Sequence, residues 1–155
     1  MAVKGEISFR SDVHGELEGP RENKTSLVYE FSHEVYLPHE VEENRAQGAR
    51  RIMPFEIVKY IDRITPLLYQ IVCEGVICSE IKITLFRIEE ATGLEVEYFN
   101  YILENARIVS VKNWMPPIYD PESVVIGHLE KVKILARRVT WDYLDGGITY
   151  TEEAL

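Results

Sequence analysis

The chain has 155 residues, of which 46% are hydrophobic and 28% are charged, a balance typical of a folded globular protein. Its formal net charge is −9, with 17 basic residues against 26 acidic ones. The acidic surplus and the lack of a dense basic run disfavour nucleic acid as a partner, because phosphates require a basic face. We therefore expect a single domain over residues 1–155 that binds no nucleic acid.

The opening residues, MAVKGEISF, lack the apolar region of a secretory signal. No apolar run approaches the length of about 18 residues that a membrane-spanning helix needs. We expect that the protein is made in the cytosol and that it does not insert into a membrane. Any export must then use a route other than a cleaved signal peptide.

After a short first strand at residues 7–10, the clearest strand is predicted at residues 27–37, where apolar and polar residues alternate. The odd-numbered face is expected in the core: Leu27, Tyr29, Phe31, His33, Val35 and Leu37. The other face carries Val28, Glu30, Ser32, Glu34 and Tyr36 and is expected to meet water or a polar partner. His33 is interpreted as a packed or edge histidine and not as a ligand.

Residues 38–54 form a long polar segment between two strands, and loops of such length are usually functional or disordered. Its charges are segregated, with acids first and arginines after them: Glu40, Glu42, Glu43, Arg45, Arg50 and Arg51. One interpretation is a solvated surface hairpin. The other is an arm whose arginines meet an acidic surface on another copy of the chain.

A single short helix is predicted within residues 54–87. Thr65 is expected to cap it through its hydroxyl, Pro66 to occupy the first helical position and Gly75 to end it. Its apolar stripe follows helical spacing: Leu67, Leu68, Ile71 and Val72.

Later strands are predicted at residues 81–87, 95–111 and 129–144, and the last of these changes its apolar phase. Its inward residues are first even-numbered and then odd-numbered: Val132, Ile134, Ala136, Val139, Trp141 and Tyr143. A bulge or corner between Ile134 and Val139 explains the change. The fold class is mainly β: a small antiparallel β-barrel with one short flanking α-helix and an extended loop.

No catalytic, metal or cofactor site is predicted. The chain has no glycine-rich phosphate loop and none of the HExxH, GxSxG or CxxC motifs. Cys73 and Cys78 are separated by four residues, a poor match to zinc or redox spacing, and we expect both as buried free thiols. An enzyme is disfavoured.

Taken together, these segments resemble the haemolysin-coregulated protein (Hcp) family, the tube-forming proteins of type VI secretion systems. The resemblance covers nearly the whole chain and is carried by the segments LVYEFSHEVYLP, FEIVKYIDRITPLLYQIVCEG, MPPIYDP and VTWDYLDGG in that order, with the long loop after the first.

The resemblance implies a homo-hexameric ring and stacked rings that form a tube inside a contractile sheath and under a spike protein. It also implies a subunit that is cytoplasmic before firing and then secreted, with small effector proteins carried in the lumen. In such a tube we expect the polar loop to contact the next ring through Glu42, Glu43, Arg45, Arg50 and Arg51. We expect Glu30, Ser32 and Glu34 to face the lumen.

Two alternatives stay open. A tail-tube protein of a phage-like contractile particle would share the ring and the tube. A monomeric ligand-binding β-barrel would instead place its pocket among four aromatic residues: Tyr29, Phe31, Trp141 and Tyr143.

Overall fold

Six antiparallel strands close into a barrel in a computed structural model that describes residues 3–40, 42, 45–46, 48–119 and 127–153, with the backbone alone at residues 40, 45 and 46. The elements are β1 (Gly5–Ser11), β2 (Gly15–Glu16), β3 (Ser26–Ser32), β4 (Val35–Tyr36), β5 (His39–Glu40), β6 (Arg45–Ala46), β7 (Arg51–Ile52), β8 (Phe55–Tyr60), α1 (Thr65–Glu74), β9 (Cys78–Ile88), β10 (Glu95–Trp114), β11 (Leu129–Tyr143) and β12 (Ile148–Glu153). The barrel order is β10–β9–β1–β3–β8–β11, and β11 pairs with β10 to close it. The predicted fold class is confirmed.

The core lies inside the barrel and under α1. Inward side chains of the six strands meet Leu68 and Ile71 of the helix, both of which are fully buried. Burying this apolar surface is the main favourable term that holds the strands around one centre.

The predicted cap of the helix is wrong, because Ile64 occupies the N-cap position and Thr65 is the first helical residue. The Thr65 hydroxyl accepts a hydrogen bond from the Asp62 N–H (3.1 Å) and donates one to Glu130 Oε2 (3.0 Å). Thr65 therefore ties the start of α1 to the barrel. At the other end, the prediction that Gly75 ends the helix is confirmed. Gly75 has a left-handed φ of 67°, and the backbone N–H groups of the cap donate to the carbonyls of Ile71 and Val72.

The strand predicted at residues 27–37 is divided and changes phase. The register between β3 and β8 shifts between Val28 and Glu30, so a bulge lies at Tyr29. Val28 is buried and Tyr29 is 48% exposed, the reverse of the prediction. Beyond the bulge the predicted polar residues Glu30 and Ser32 are exposed. Val35 and Leu37 are also exposed, because β3 ends before them and the chain leaves the barrel.

The phase change predicted in the last strand is confirmed, and its neighbour shares it. On β11 the inward residues pass from Ile134 to Val139, and on β10 they pass from Leu103 to Ala106 and Ile108. Asn105, in β10, adopts a left-handed φ of 50° at this point. Both strands bend at this corner. The part of each strand before the corner therefore lies in one wall of the barrel, and the part after it lies in the other.

Both cysteines are free, as predicted, but only Cys78 is buried. Cys73 lies near the end of α1 and is exposed, so its predicted burial is wrong. Burial raises the pKa of the Cys78 thiol to about 11.

Candidate assembly interface

One wall of the barrel has two unpaired edges. We define the four-stranded wall as residues 29–32 of β3, β8, residues 129–135 of β11 and residues 107–114 of β10. β1 pairs with β3 only over residues 26–28, and β9 pairs with β10 only as far as Ala106. Within the described part of the chain, residues 29–32 (the β3 edge) and 107–114 (the β10 edge) therefore have a strand on one side only. Such edges are templates for pairing with another chain.

The register of the wall brings distant charges into rows on its outward face. One row runs across the four strands as Glu30, Val58, Lys131 and Lys112, and the next as Ser32, Glu56, Lys133 and Ser110. Arg107 lies opposite Leu135 in the row beyond. Acids therefore lie toward the β3 edge and bases toward the β10 edge.

Only one close ion pair joins these rows among the described residues, between Lys133 Nζ and Glu56 Oε1 at 3.5 Å. Because the two edges have opposite charge, the β3 edge of one copy is complementary to the β10 edge of another. Contacts of this head-to-tail kind produce rings when the rotation between copies closes.

Two of the three residues predicted to face a lumen lie on this face. Glu30 and Ser32 are exposed on the four-stranded wall, and Glu34 is exposed just after β3 ends. The basic residues of the same face, Arg107, Lys112, Lys131 and Lys133, were missed from the sequence. Alternation along β11 could have indicated the outward direction of its two lysines, but not which residues lie beside them.

The predicted loop is an arm of two short ladders. β4 pairs with β7, β5 pairs with β6, and the Met53 N–H donates to the Glu34 carbonyl at the base (2.9 Å). Of the residues predicted to contact the next ring, Glu42 and Arg51 are exposed. Arg45 lies in β6, opposite Glu40, and Glu43 lies outside the described residues.

Arg50 is engaged within its own chain. Its Nη2 lies 2.7 Å from Glu152 Oε1 and also donates to the Glu153 carbonyl. Hydrogen bonds from the Tyr150 hydroxyl and from Arg50 lower the pKa of Glu152. The arm is thus fastened to β12 through Arg50, and the contact of Arg50 and Arg51 with another ring stays a prediction.

His33 lies at the base of the arm and is packed between aromatic rings, in agreement with its interpretation from sequence. Its ring stacks on Phe55 at 3.7 Å and lies 6.0 Å from Trp141. Both ring nitrogens are buried without a hydrogen bond of normal geometry to the described residues. Burial lowers the pKa of His33, an effect that the Met53 backbone opposes only in part.

Three of the four aromatic residues of the ligand-binding alternative belong to one series of ring contacts, and Tyr29 lies apart from it. Tyr29 meets Tyr60 on the outside of the barrel, whereas Phe31 packs on Tyr101. Trp141 stacks on Tyr150, and Tyr143 meets Tyr98 and Phe99. Phe31 is linked to Trp141 through Phe55 and His33, and to Tyr143 through Tyr101 and Phe99.

The described ranges lack two further kinds of feature. They contain no group of three or more His, Cys, Asp or Glu side chains placed to hold a metal ion. They also contain no helix with the length and apolarity required to span a bilayer.

Comparison with known proteins gives consistent results. The sequence model of the family described as "Type VI secretion system effector, Hcp" matches residues 1–143. The "Major exported protein" of Pseudomonas aeruginosa is 30% identical over 127 residues, which cover 82% of this chain and 73% of that protein.

Solved structures share the fold over nearly the full length. A mutant of the Hcp1 protein from E. coli EAEC 042 is 27% identical, with a TM-score of 0.86 and coverage of 99% of this chain and 100% of that one. The secreted protein Hcp3 from Pseudomonas aeruginosa is 23% identical, with a TM-score of 0.80 and coverage of 99% of both chains.

Proposed function

Because the chain belongs to the Hcp family of type VI secretion proteins, we propose that it is the structural subunit of the inner tube of such a system. Six copies form a ring, and rings stack into a tube that lies inside a contractile sheath and under a spike. The subunit does mechanical and transport work, and catalysis is not part of the proposal.

The observation that carries this proposal is the pair of unpaired, oppositely charged edges of the four-stranded wall. If the β3 edge of one copy pairs with the β10 edge of the next, backbone hydrogen bonds continue the wall from copy to copy. Glu30 then lies beside the basic edge that contains Arg107 and Lys112. The outward face of the wall, with Glu30, Ser32 and Glu34, becomes the surface of the lumen.

Edge pairing also offsets the electrostatic repulsion between copies of this acidic chain. Each chain carries a formal charge of −9, so six copies repel one another at long range. Opposite charges placed at each junction offset that repulsion locally and define which edge meets which.

The stacking contact is assigned to the arm. Glu42 and Arg51 are exposed there, and Glu43, Arg45 and Arg50 remain part of the proposed contact. Since Arg50 is bound to Glu152, Arg51 is the arginine that we expect to contribute most to the next ring.

Secretion follows from the same assignment. The subunit is cytoplasmic before firing and is then exported without a cleaved signal, together with the spike and with small effector proteins in the lumen. The name of the relative from Pseudomonas aeruginosa, a major exported protein, supports export.

The direct test is the mass of the purified protein by light scattering. We expect about six times the mass of one chain, and a monomer at high concentration would contradict the proposal. A tail tube of a phage-like particle would give the same mass. Sheath-dependent appearance of the protein in the culture medium distinguishes secretion from that alternative.

A further inference from the structure

Two lysines lie directly opposite each other on the outward face of the four-stranded wall. Lys112 of β10 pairs in register with Lys131 of β11. Like charges in this position destabilise a sheet by a few tenths of a kcal/mol, so the arrangement has a cost for the isolated chain. In the part of the chain that the structure describes, neither lysine has a carboxylate within salt-bridge distance.

The same face has a basic surplus on an otherwise acidic protein. With Glu34 just beyond the end of β3 included, it carries three acids and four bases: Glu30, Glu34, Glu56, Arg107, Lys112, Lys131 and Lys133. The whole chain, by contrast, has a charge of −9. This face is therefore more basic than the chain as a whole.

The outward face of the opposite wall has, among the described residues, no two bases directly opposite each other in register. Its register across β1, β9, β10 and β11 brings together four acids and three bases: Glu6, Glu80, Glu104, Asp142, Arg10, Lys82 and Arg138. Lys4 and Arg21 are further bases there, and both form ion pairs with Glu6. Here the bases have acidic neighbours, as in the pair between Arg138 Nη1 and Glu104 Oε2 at 3.4 Å. The opposed lysines are thus a property of the four-stranded wall.

We propose that the outward face of the four-stranded wall is a docking surface for proteins with an acidic surface, which it holds chiefly through Lys131 and Lys133. Lys112 and Arg107 add to it beside the junction with the next copy. The inference rests on the tube proposed above, in which this face lines the lumen. Four bases against three acids in each of six copies leave a ring with about six surplus positive charges toward an enclosed space, where low-dielectric walls concentrate the field.

The chemistry of these side chains suits a cargo that must be held and then released. Three of the four are lysines, which are compact charges on flexible stems and accept carboxylates in many orientations. At physiological salt, charges are screened beyond about 8 Å, so the cargo must touch the wall to be retained. Each contact is weak, and retention depends on their number.

Nucleic acid is the competing polyanion. Glu30 and Glu56 interrupt the basic face and repel a regularly spaced phosphate backbone, whereas a folded protein can place its carboxylates around them. The occupant that we infer is therefore a small acidic protein.

The experiment uses assembled rings and three labelled probes: poly-L-glutamate, poly-L-lysine and single-stranded oligothymidylate. The test variant is Lys131→Glu/Lys133→Glu, which avoids the β10 edge. The matched control is Arg10→Glu/Lys82→Glu, which makes the same charge change on the opposite wall. Lys131→Gln is a milder second variant in case the double reversal impairs folding.

Wild-type rings are expected to bind poly-L-glutamate, with about tenfold weaker binding in Lys131→Glu/Lys133→Glu and little change in the control. Poly-L-lysine should not bind to the test face, and added salt should weaken the poly-L-glutamate complex. Equal binding by test and control variants, or oligothymidylate binding as tight as that of poly-L-glutamate, overturns the inference. Light scattering measures ring formation independently of probe binding. If the wild-type protein forms no rings, that result counts against the proposed function.

Discussion

Lys59 and Glu130 form an ion pair that lies wholly inside the protein. Lys59 Nζ is 2.7 Å from Glu130 Oε2, and both side chains are 0% exposed. Lys59 also contacts Asp62 Oδ2 at 3.0 Å, and Thr65 donates to the same Glu130 oxygen. One buried cation thus joins β8, β11 and the start of α1.

Replacement of Lys59 should be strongly destabilising. Lys59→Met leaves the carboxylates of Asp62 and Glu130 without their cation, and breaking a buried pair costs about 3–5 kcal/mol. The matched control is Lys133→Met, whose partner Glu56 is partly exposed and whose loss should cost less than about 1 kcal/mol. The measurement is the free energy of unfolding in urea, and equal losses in the two variants would refute this account.

Charge reversal at either edge should prevent ring closure, and mixing the two variants should restore it. Glu30→Arg places like charges at every junction, as does Arg107→Glu/Lys112→Glu. In a mixture, rings that alternate the two chains have opposite charges at all junctions. Light scattering should show monomers for each variant alone and rings for the mixture.

The control for this experiment is Glu97→Arg, an exposed position of β10 outside the four-stranded wall. It should form rings by itself. Rings formed by Glu30→Arg alone would sink the edge-pairing hypothesis.

Reversal of Arg51 should weaken stacking and leave single rings intact. Arg51→Glu removes one exposed contact per copy, each worth up to about 1 kcal/mol, and the ring repeats it in every copy. Arg50→Glu/Arg51→Glu should weaken stacking further while also releasing the arm from Glu152. Tube length by electron microscopy and ring mass by light scattering separate the two effects. Arg63→Glu, at an exposed position before α1, is the control, and unchanged tubes in Arg51→Glu would contradict the assignment.

Cysteine labelling can test the lumen. In a Cys73→Ser background, Cys78 stays unreactive near neutral pH because burial raises its pKa to about 11. Ser32→Cys in assembled tubes should react with a small methanethiosulfonate and resist a maleimide that carries a large polymer. Thr151→Cys on the opposite wall should react with both. Rapid reaction of Ser32→Cys with the bulky reagent in intact tubes would place that face outside.

Acidification should destabilise the base of the arm through His33. Burial lowers its pKa below the ordinary value of 6.5, so the unfolded chain takes up this proton first as the pH falls. The contribution of neutral His33 is therefore lost as the pH falls from 6.5 toward the lower folded value. His33→Phe keeps the stacking and lacks the titration, so its melting temperature should fall less between neutral pH and about pH 5. Parallel melting curves for the two proteins would rule this out.

Local patterns predicted a large part of the fold. Period-two alternation indicated the strands, the phase change at Ile134–Val139 indicated a corner, and Gly75 marked the end of the helix. These features depend on residues a few positions apart, and backbone geometry over such distances is a local property.

The errors and omissions share one physical cause. Alternation tells which residues share a face of a strand, but it does not tell which strand lies beside them or in what register. The bulge at Tyr29 is visible only in the pairing of β3 with β8. Likewise, the sequence around Thr65 predicts a helix cap, whereas in the structure its hydroxyl donates a hydrogen bond to Glu130, which is remote in sequence, at 3.0 Å.

By itself, then, the sequence determined an acidic, mainly β barrel with one helix, a charged arm and no recognisable catalytic motif. The tertiary structure decided that Lys112 faces Lys131, that Arg50 binds Glu152 and that the four-stranded wall ends in two edges of opposite charge. Each of these depends on contacts between strands that are remote in sequence, because chain closure around a common core sets the register that local propensity leaves open.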